Sequence, residues 1–192
     1  MKAVLISIRP EWCAKITSGE KTIEVRKSRP KLNPPFKVYI YCTLPRYPHE
    51  DFIETDYPQP QFYGGGKVIG EFVCDWIYQY SSADHLYGVD ISHEDMARQS
   101  CLTRKQIEAY ELKNAPEEGY GYFGVFGWHI SGLKVYDKPR ELGSLTGLRA
   151  TRFGAAPYDI KRAPQSWCYV EETAQRSAAS TARTAATGNG GE

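Results

Sequence analysis

Apolar side chains recur at every second position in several stretches of this 192-residue chain, and a glycine or a proline closes most of them. Val38, Ile40 and Cys42 alternate with Tyr39, Tyr41 and Thr43; Val68, Gly70 and Phe72 alternate with Ile69, Glu71 and Val73; Ile23 and Val25 alternate with Thr22, Glu24 and Arg26. A period of two is the mark of strands, whose successive side chains point to opposite faces. With 17 glycines and 12 prolines the chain is cut too often for long helices, and its 14 tyrosines favour strands as well. The expected fold is mostly β (α+β), with one well-filled core over residues 1–172 and long loops at 44–66 and 143–162.

In chain order, Lys2 to Ile8 reads as a first strand that Arg9-Pro10 ends. Pro10 then opens a helix over Glu11 to Ser18, with Glu11 near its positive end, Trp12 and Ile16 one turn apart, and Gly19 as its stop. A strand follows over Phe36 to Thr43. Residues 44–66 hold four prolines and end in Gly64-Gly65-Gly66, which lack the following Lys-Ser/Thr of a phosphate-binding loop. Lys67 to Tyr80 reads as one long strand with Glu71 as a polar intruder, and Leu102 to Lys113 as a helix capped by Thr103. Tyr120 to Leu133 is a strand of glycines and aromatics, which suits bending and barrel closure. Val135 to Leu142 reads as an edge, Gly143 to Arg162 as an irregular basic insertion, and Pro164 to Glu172 as a last strand. Residues 173–192 are mostly Ala, Ser, Thr and Gly with two arginines, a composition expected to stay disordered. Strand parity places Ile23, Val25, Val38, Ile40, Val68, Phe72 and Phe126 in one shared core.

The stretch Gly19-Glu20-Lys21-Thr22-Ile23-Glu24-Val25-Arg26-Lys27 stands apart. Thr22, Glu24 and Arg26 share the parity opposite Ile23 and Val25, and Lys21 and Lys27 flank them. An ordered donor, acceptor and cation on one face make it the first candidate site, against the plainer reading of a solvated outer face.

Charge is segregated along the chain. Residues 1–40 carry nine Lys or Arg against three acids, a balance of +6; residues 41–131 carry six against 14, or −8; residues 132–192 carry nine against six, or +3. If the two ends meet, their shared face is basic and suits an anionic partner. The five cysteines are odd in number and form no C-x-x-C pair, and the four histidines are scattered, so neither a disulfide framework nor a metal site is expected, and no cofactor. Arg9 and Glu11 interrupt the first apolar run and no stretch reaches membrane-spanning length, so a cytoplasmic protein without a membrane segment is expected.

The ordered set Arg9-Pro10-Glu11-Trp12, Gly19 to Lys27, Val68-Ile69-Gly70-Glu71-Phe72, Gly127-Trp128-His129-Ile130 and Pro164-Gln165-Ser166-Trp167 resembles the ASCH domains of the PUA-like superfamily, in their phage and bacterial form. The resemblance implies an antiparallel β-barrel with flanking helices and a cleft floored by the Lys-Thr-Ile strand. It also implies a partner that is RNA or a modified nucleoside, as the superfamily is associated with both. Some bacterial relatives resemble amidohydrolases of N4-acetylcytidine that use a lysine, a threonine and a glutamate. Here Lys21 matches the lysine, Glu24 stands at the threonine position, and Ser100, Glu94 or Asp95 stand near that of the glutamate.

Three readings follow. A nucleic-acid-binding module would use Arg9, Trp12, Lys21, Thr22, Glu24, Arg26, Lys27, Ser166 and Trp167, with cations on phosphates and rings on bases. A metal-independent hydrolase, an amidohydrolase or a ribonuclease, would place Lys21 and Glu24 in acid/base roles. A phage factor engaging a host protein would instead show an exposed apolar patch.

Overall fold

In a computed structural model the protein is described at residues 1–44, 64–81, 90–113 and 124–172. Residues 45–63 of the expected 44–66 loop, residues 82–89, residues 114–123 with the start of the glycine-aromatic strand, and the tail beyond 172 lie outside the described residues. The architecture is mostly β with flanking helices. Among the described residues, ten strands and three helices follow in the order β1 (Lys2–Ile8), α1 (Pro10–Thr17), β2 (Ile23–Arg26), β3 (Phe36–Cys42), β4 (Lys67–Cys74), β5 (Ile77–Tyr80), α2 (His93–Ser100), α3 (Arg104–Leu112), β6 (Val125–His129), β7 (Ser131–Arg140), β8 (Thr146–Thr151), β9 (Gly154–Asp159) and β10 (Trp167–Glu171).

The strands form two sheets rather than the closed barrel expected. Seven lie in the order β7-β4-β3-β1-β10-β8-β9 and three in the order β2-β6-β5. Two expected single strands are each divided between the sheets. Lys67 to Tyr80 breaks at Asp75-Trp76, sending β4 to the large sheet and β5 to the small one, and Ile130 separates β6 from β7 in the same way. The two crossings are tied together: His129 Nδ1 lies 2.6 Å from Asp75 Oδ1, and the His129 amide donates to the Trp76 carbonyl at 2.9 Å.

β1 sits in the middle of the large sheet, parallel to β3 and antiparallel to β10. Both its faces are covered, which explains its unbroken apolar run. Val4, Ile6 and Ile8 join Val38, Ile40, Phe72 and Trp128 in the principal core, while Ala3 and Leu5 join Tyr39, Val68 and Leu145 on the opposite face. Val68 was expected beside Phe72. A bulge separates them, since Ile40 pairs with Gly70 and Tyr41 with Val68, leaving Ile69 as the extra residue that reverses the parity.

Ile23 and Val25 leave the principal core as well. They pack with Tyr80, Ile91, Met96 and Ile107 between the small sheet and helices α2 and α3. The single shared core is thus three clusters, because the small sheet has a covered face on each side.

The expected irregular insertion at 143–162 is a short 3-10 turn (Leu142–Ser144) and the β8–β9 hairpin. Glu71 has a structural use: the Tyr136 hydroxyl donates to it at 2.5 Å and Lys37 approaches at 3.7 Å. Burial and the Glu71 carboxylate push the Tyr136 hydroxyl far up. No described helix is long and apolar enough to cross a membrane.

Candidate functional site

The Glu24 side of β2 is an inner face. Glu24 pairs with Trp128, and Arg26 with Phe126, both of which look toward the principal core, so the charged parity of β2 lies between the two sheets. Lys21, Glu24 and Arg26 have side chains only 2%, 8% and 11% exposed. The plainer expectation of a solvated face is therefore wrong, and the reason is the second sheet.

Buried charges need partners: Glu24 finds its own within β2 and just before it, and the two cations add carbonyls from distant elements. The Glu24 carboxylate is shared: Lys21 Nζ lies 3.3 Å from Oε2 and Arg26 Nη2 2.9 Å from Oε1. Lys21 also donates to the Ser100 carbonyl at 2.8 Å. Ser100 is the last residue of α2, where unpaired carbonyls and the helix dipole favour a cation. Arg26 donates to the Ser7 carbonyl of β1 at 2.6 Å and so bridges the sheets, and its Nε is buried with no hydrogen-bond partner among the described residues. Lys27 repeats the device at α3, whose last turn is followed by Lys113: its ammonium donates to the Lys113 carbonyl and lies 5.4 Å from the Tyr110 ring.

This ion triad floors a cleft of about 890 Å³ at the end of the large sheet where β1 and β3 finish and β10 begins. Arg9 and Trp12 come from the start of α1, Tyr41 and Thr43 from β3, Gln106 and Tyr110 from α3, and Pro164 to Ser166 from the approach to β10. Among the described charged residues lining it, Arg9, Lys21, Arg26, Lys27 and Lys113 are cations and Glu24 is the one acid. The first and last described strands meet here, as β1 pairs with β10 and the Ser7 amide donates to the Ser166 carbonyl at 2.9 Å.

The chain is similar to ASCH proteins of known structure. A crystal structure of ASCH from Zymomonas mobilis gives a TM-score of 0.48 at 18% identity, covering 88% of each chain. A tyrosine-to-phenylalanine variant of that protein gives 0.48 at 16% identity, over 90% of this chain and 92% of the other. A serine-to-alanine variant gives 0.46 at 16% identity, over 88% and 89%. No family model and no curated relative matches the chain.

Of the residues singled out in the sequence, Arg9, Trp12, Lys21, Glu24, Arg26, Lys27 and Ser166 line the cleft, and Thr22 and Trp167 do not. Thr22 turns to α2, where its amide donates to the Gln99 carbonyl at 2.9 Å. Trp167 packs against Trp128 and Tyr169, with its indole N–H donated to Ser28 Oγ at 3.1 Å. Trp12 is half-buried and serves both purposes, packing on the core while its ring lies 5.3 Å from Lys21 Nζ. Tyr41, Tyr110 and Lys113 escape sequence reasoning, because α3 reads as an ordinary capped helix and the aromatic parity of β3 also holds Tyr39, which is buried in the cluster with Val68 and Leu145.

Beside the cleft, Cys13 of α1 and Cys42 of β3 share a hydrogen bond that, reinforced by burial, holds the Cys13 thiol well up and, against burial, draws Cys42 down. Among the described residues no three His, Cys, Asp or Glu side chains gather in a way that suits a metal ion.

Proposed function

We propose that the cleft binds RNA or a modified nucleoside, holding a base against its rings and phosphate on its cations. The observation that carries this reading is the charge of the described lining residues, five cations to one carboxylate, beside the rings of Trp12, Tyr41 and Tyr110. Stacking surfaces combined with Lys and Arg are how single strands are held without reliance on groove geometry. The motif set that resembles ASCH domains points the same way. The buried triad fixes the floor in place, so ordering it adds little to the cost of binding.

Affinity for a labelled single-stranded RNA is expected to fall steeply with salt. Replacing exposed Arg9 and Lys27 by Ala should reduce the slope of log affinity against log salt by about 1.4, at about 0.7 for each phosphate that is no longer neutralised. An unchanged slope in that double variant removes the phosphate role.

The 3.3 Å approach of Lys21 to Glu24 favours a second reading, in which the carboxylate activates a water and the ammonium holds the substrate carbonyl or phosphoryl oxygen. It predicts acetate release from N4-acetylcytidine, or RNA cleavage, that stops in Lys21→Arg while binding persists, because the guanidinium keeps the charge but not the geometry. A wild-type protein inert in both assays over long incubation ends that reading.

A further inference from the structure

The β8–β9 hairpin leaves the large sheet. β8 pairs with β10 only at Gly147 and Leu148, opposite Val170 and Tyr169, whereas its pairing with β9 continues to Thr151 opposite Gly154. Beyond Leu148 the two strands form a free ribbon, exposed from Arg149 to Ala155. Its direction follows from the antiparallel register: β8 runs toward the start of β10, where Ser166 lines the cleft. At about 3.3 Å per residue, Arg152 stands about 13 Å beyond Leu148, toward the cleft end of the sheet.

Charge, an exposed ring and rigidity distinguish this ribbon. Residues 146–163 hold Arg149, Arg152, Lys161 and Arg162 against a single acid, Asp159, which lies opposite Thr146 at the base rather than the tip. Lys161 and Arg162, both exposed, stand in the segment that joins the ribbon to the cleft wall at Ala163. At the tip Phe153 is 85% exposed, with the Arg152 guanidinium 4.5 Å from its ring centroid. The turn beneath it is fixed: Thr151 Oγ1 donates to the Gly154 carbonyl at 2.8 Å and accepts from the Phe153 amide at 3.2 Å. Gly154 takes φ +115°, which other residues rarely adopt.

A two-stranded ribbon has no core of its own, so nothing in its folding calls for an exposed aromatic at its end. A ring held on a rigid turn beside a guanidinium is instead a stacking surface for a base, and little conformational freedom is lost when it is used. We infer that the β8–β9 ribbon is a second RNA-binding surface, on which a strand seated in the cleft continues, with a base on Phe153 and phosphates on Arg149 and Arg152. This rests on the reading of the cleft as a nucleic-acid site.

The test uses the full chain and two single-stranded oligonucleotides, one of about four nucleotides, enough for the cleft, and one of about 12. Wild-type protein is expected to bind the longer one more tightly. Phe153→Ala should weaken the longer one roughly tenfold or more and leave the shorter one unchanged. The double variant Arg149→Ala, Arg152→Ala should lower the salt slope for the longer one alone, by about 1.4. If both lengths bind equally well, or the variants change neither, the ribbon does not bind RNA although the cleft reading stands; if the variants weaken both alike, the ribbon is not a second surface and the inference falls. If only the longer one binds, and binding depends on Phe153, the ribbon stands and the cleft reading falls. Binding of neither length overturns both.

Discussion

Glu24→Gln is expected to destabilise the protein and at the same time to tighten its hold on an anion. The substitution keeps the side chain's shape but removes the one negative charge between Lys21 and Arg26, whose side chains are 2% and 11% exposed. Two buried cations then share a neutral amide, with the Ser100 and Ser7 carbonyls and the Trp12 ring for compensation. Removing one partner of a buried ion pair costs about 3–5 kcal/mol, a large share of the roughly 5–15 kcal/mol that holds a domain together. A phosphate entering the cleft would restore the missing charge, so RNA should raise the melting temperature of the variant more than that of the wild type. Chemical denaturation and melting with and without RNA check both halves. A variant as stable as the wild type would mean that the triad is hydrated rather than buried, and one that gains less from RNA would place the anion elsewhere.

Ile23→Asp is expected to leave no folded protein. Ile23 is fully buried in a cluster of apolar side chains with Met96 and Ile107. The change loses about 1.5–3 kcal/mol of apolar burial and adds the several kcal/mol needed to bury or neutralise an unpaired acid. Together these approach the whole stability of a domain. Ile23→Val, which removes a single methyl group, should cost only about 0.5–1.5 kcal/mol and serves as the control. Circular dichroism and melting decide, and a cooperative transition in Ile23→Asp within a few degrees of the wild type would sink the assignment of Ile23 to this cluster.

These two adjacent residues show where sequence reasoning reaches its limit. Period two placed Ile23 and Glu24 on opposite faces, and the structure keeps them there. It did not show that both faces are covered, because β2 lies between a helical layer and the large sheet. The same limit explains Val68, whose parity is reversed by an extra residue at Ile69 that alternation does not register. It also explains the hairpin at 146–159, whose glycine, alanine and proline content reads as a loop. Thr22 was expected in the site on parity alone, but its position at the mouth of β2 brings it against α2 instead.

Local properties were determined by the sequence alone. Pro10 and Gly19 bound α1, Thr103 and Gln106 form the capping box of α3, and Lys21, Glu24, Arg26 and Lys27 come to one neighbourhood because a short strand has few directions in which to point. Only the tertiary structure decided what that neighbourhood is. Lys21, Arg26 and Lys27 donate to the carbonyls of Ser100, Ser7 and Lys113, which lie 79, 19 and 86 residues away in the chain. A buried charge is stable only where such partners converge, and convergence over those separations is set by how the two sheets pack rather than by any local pattern.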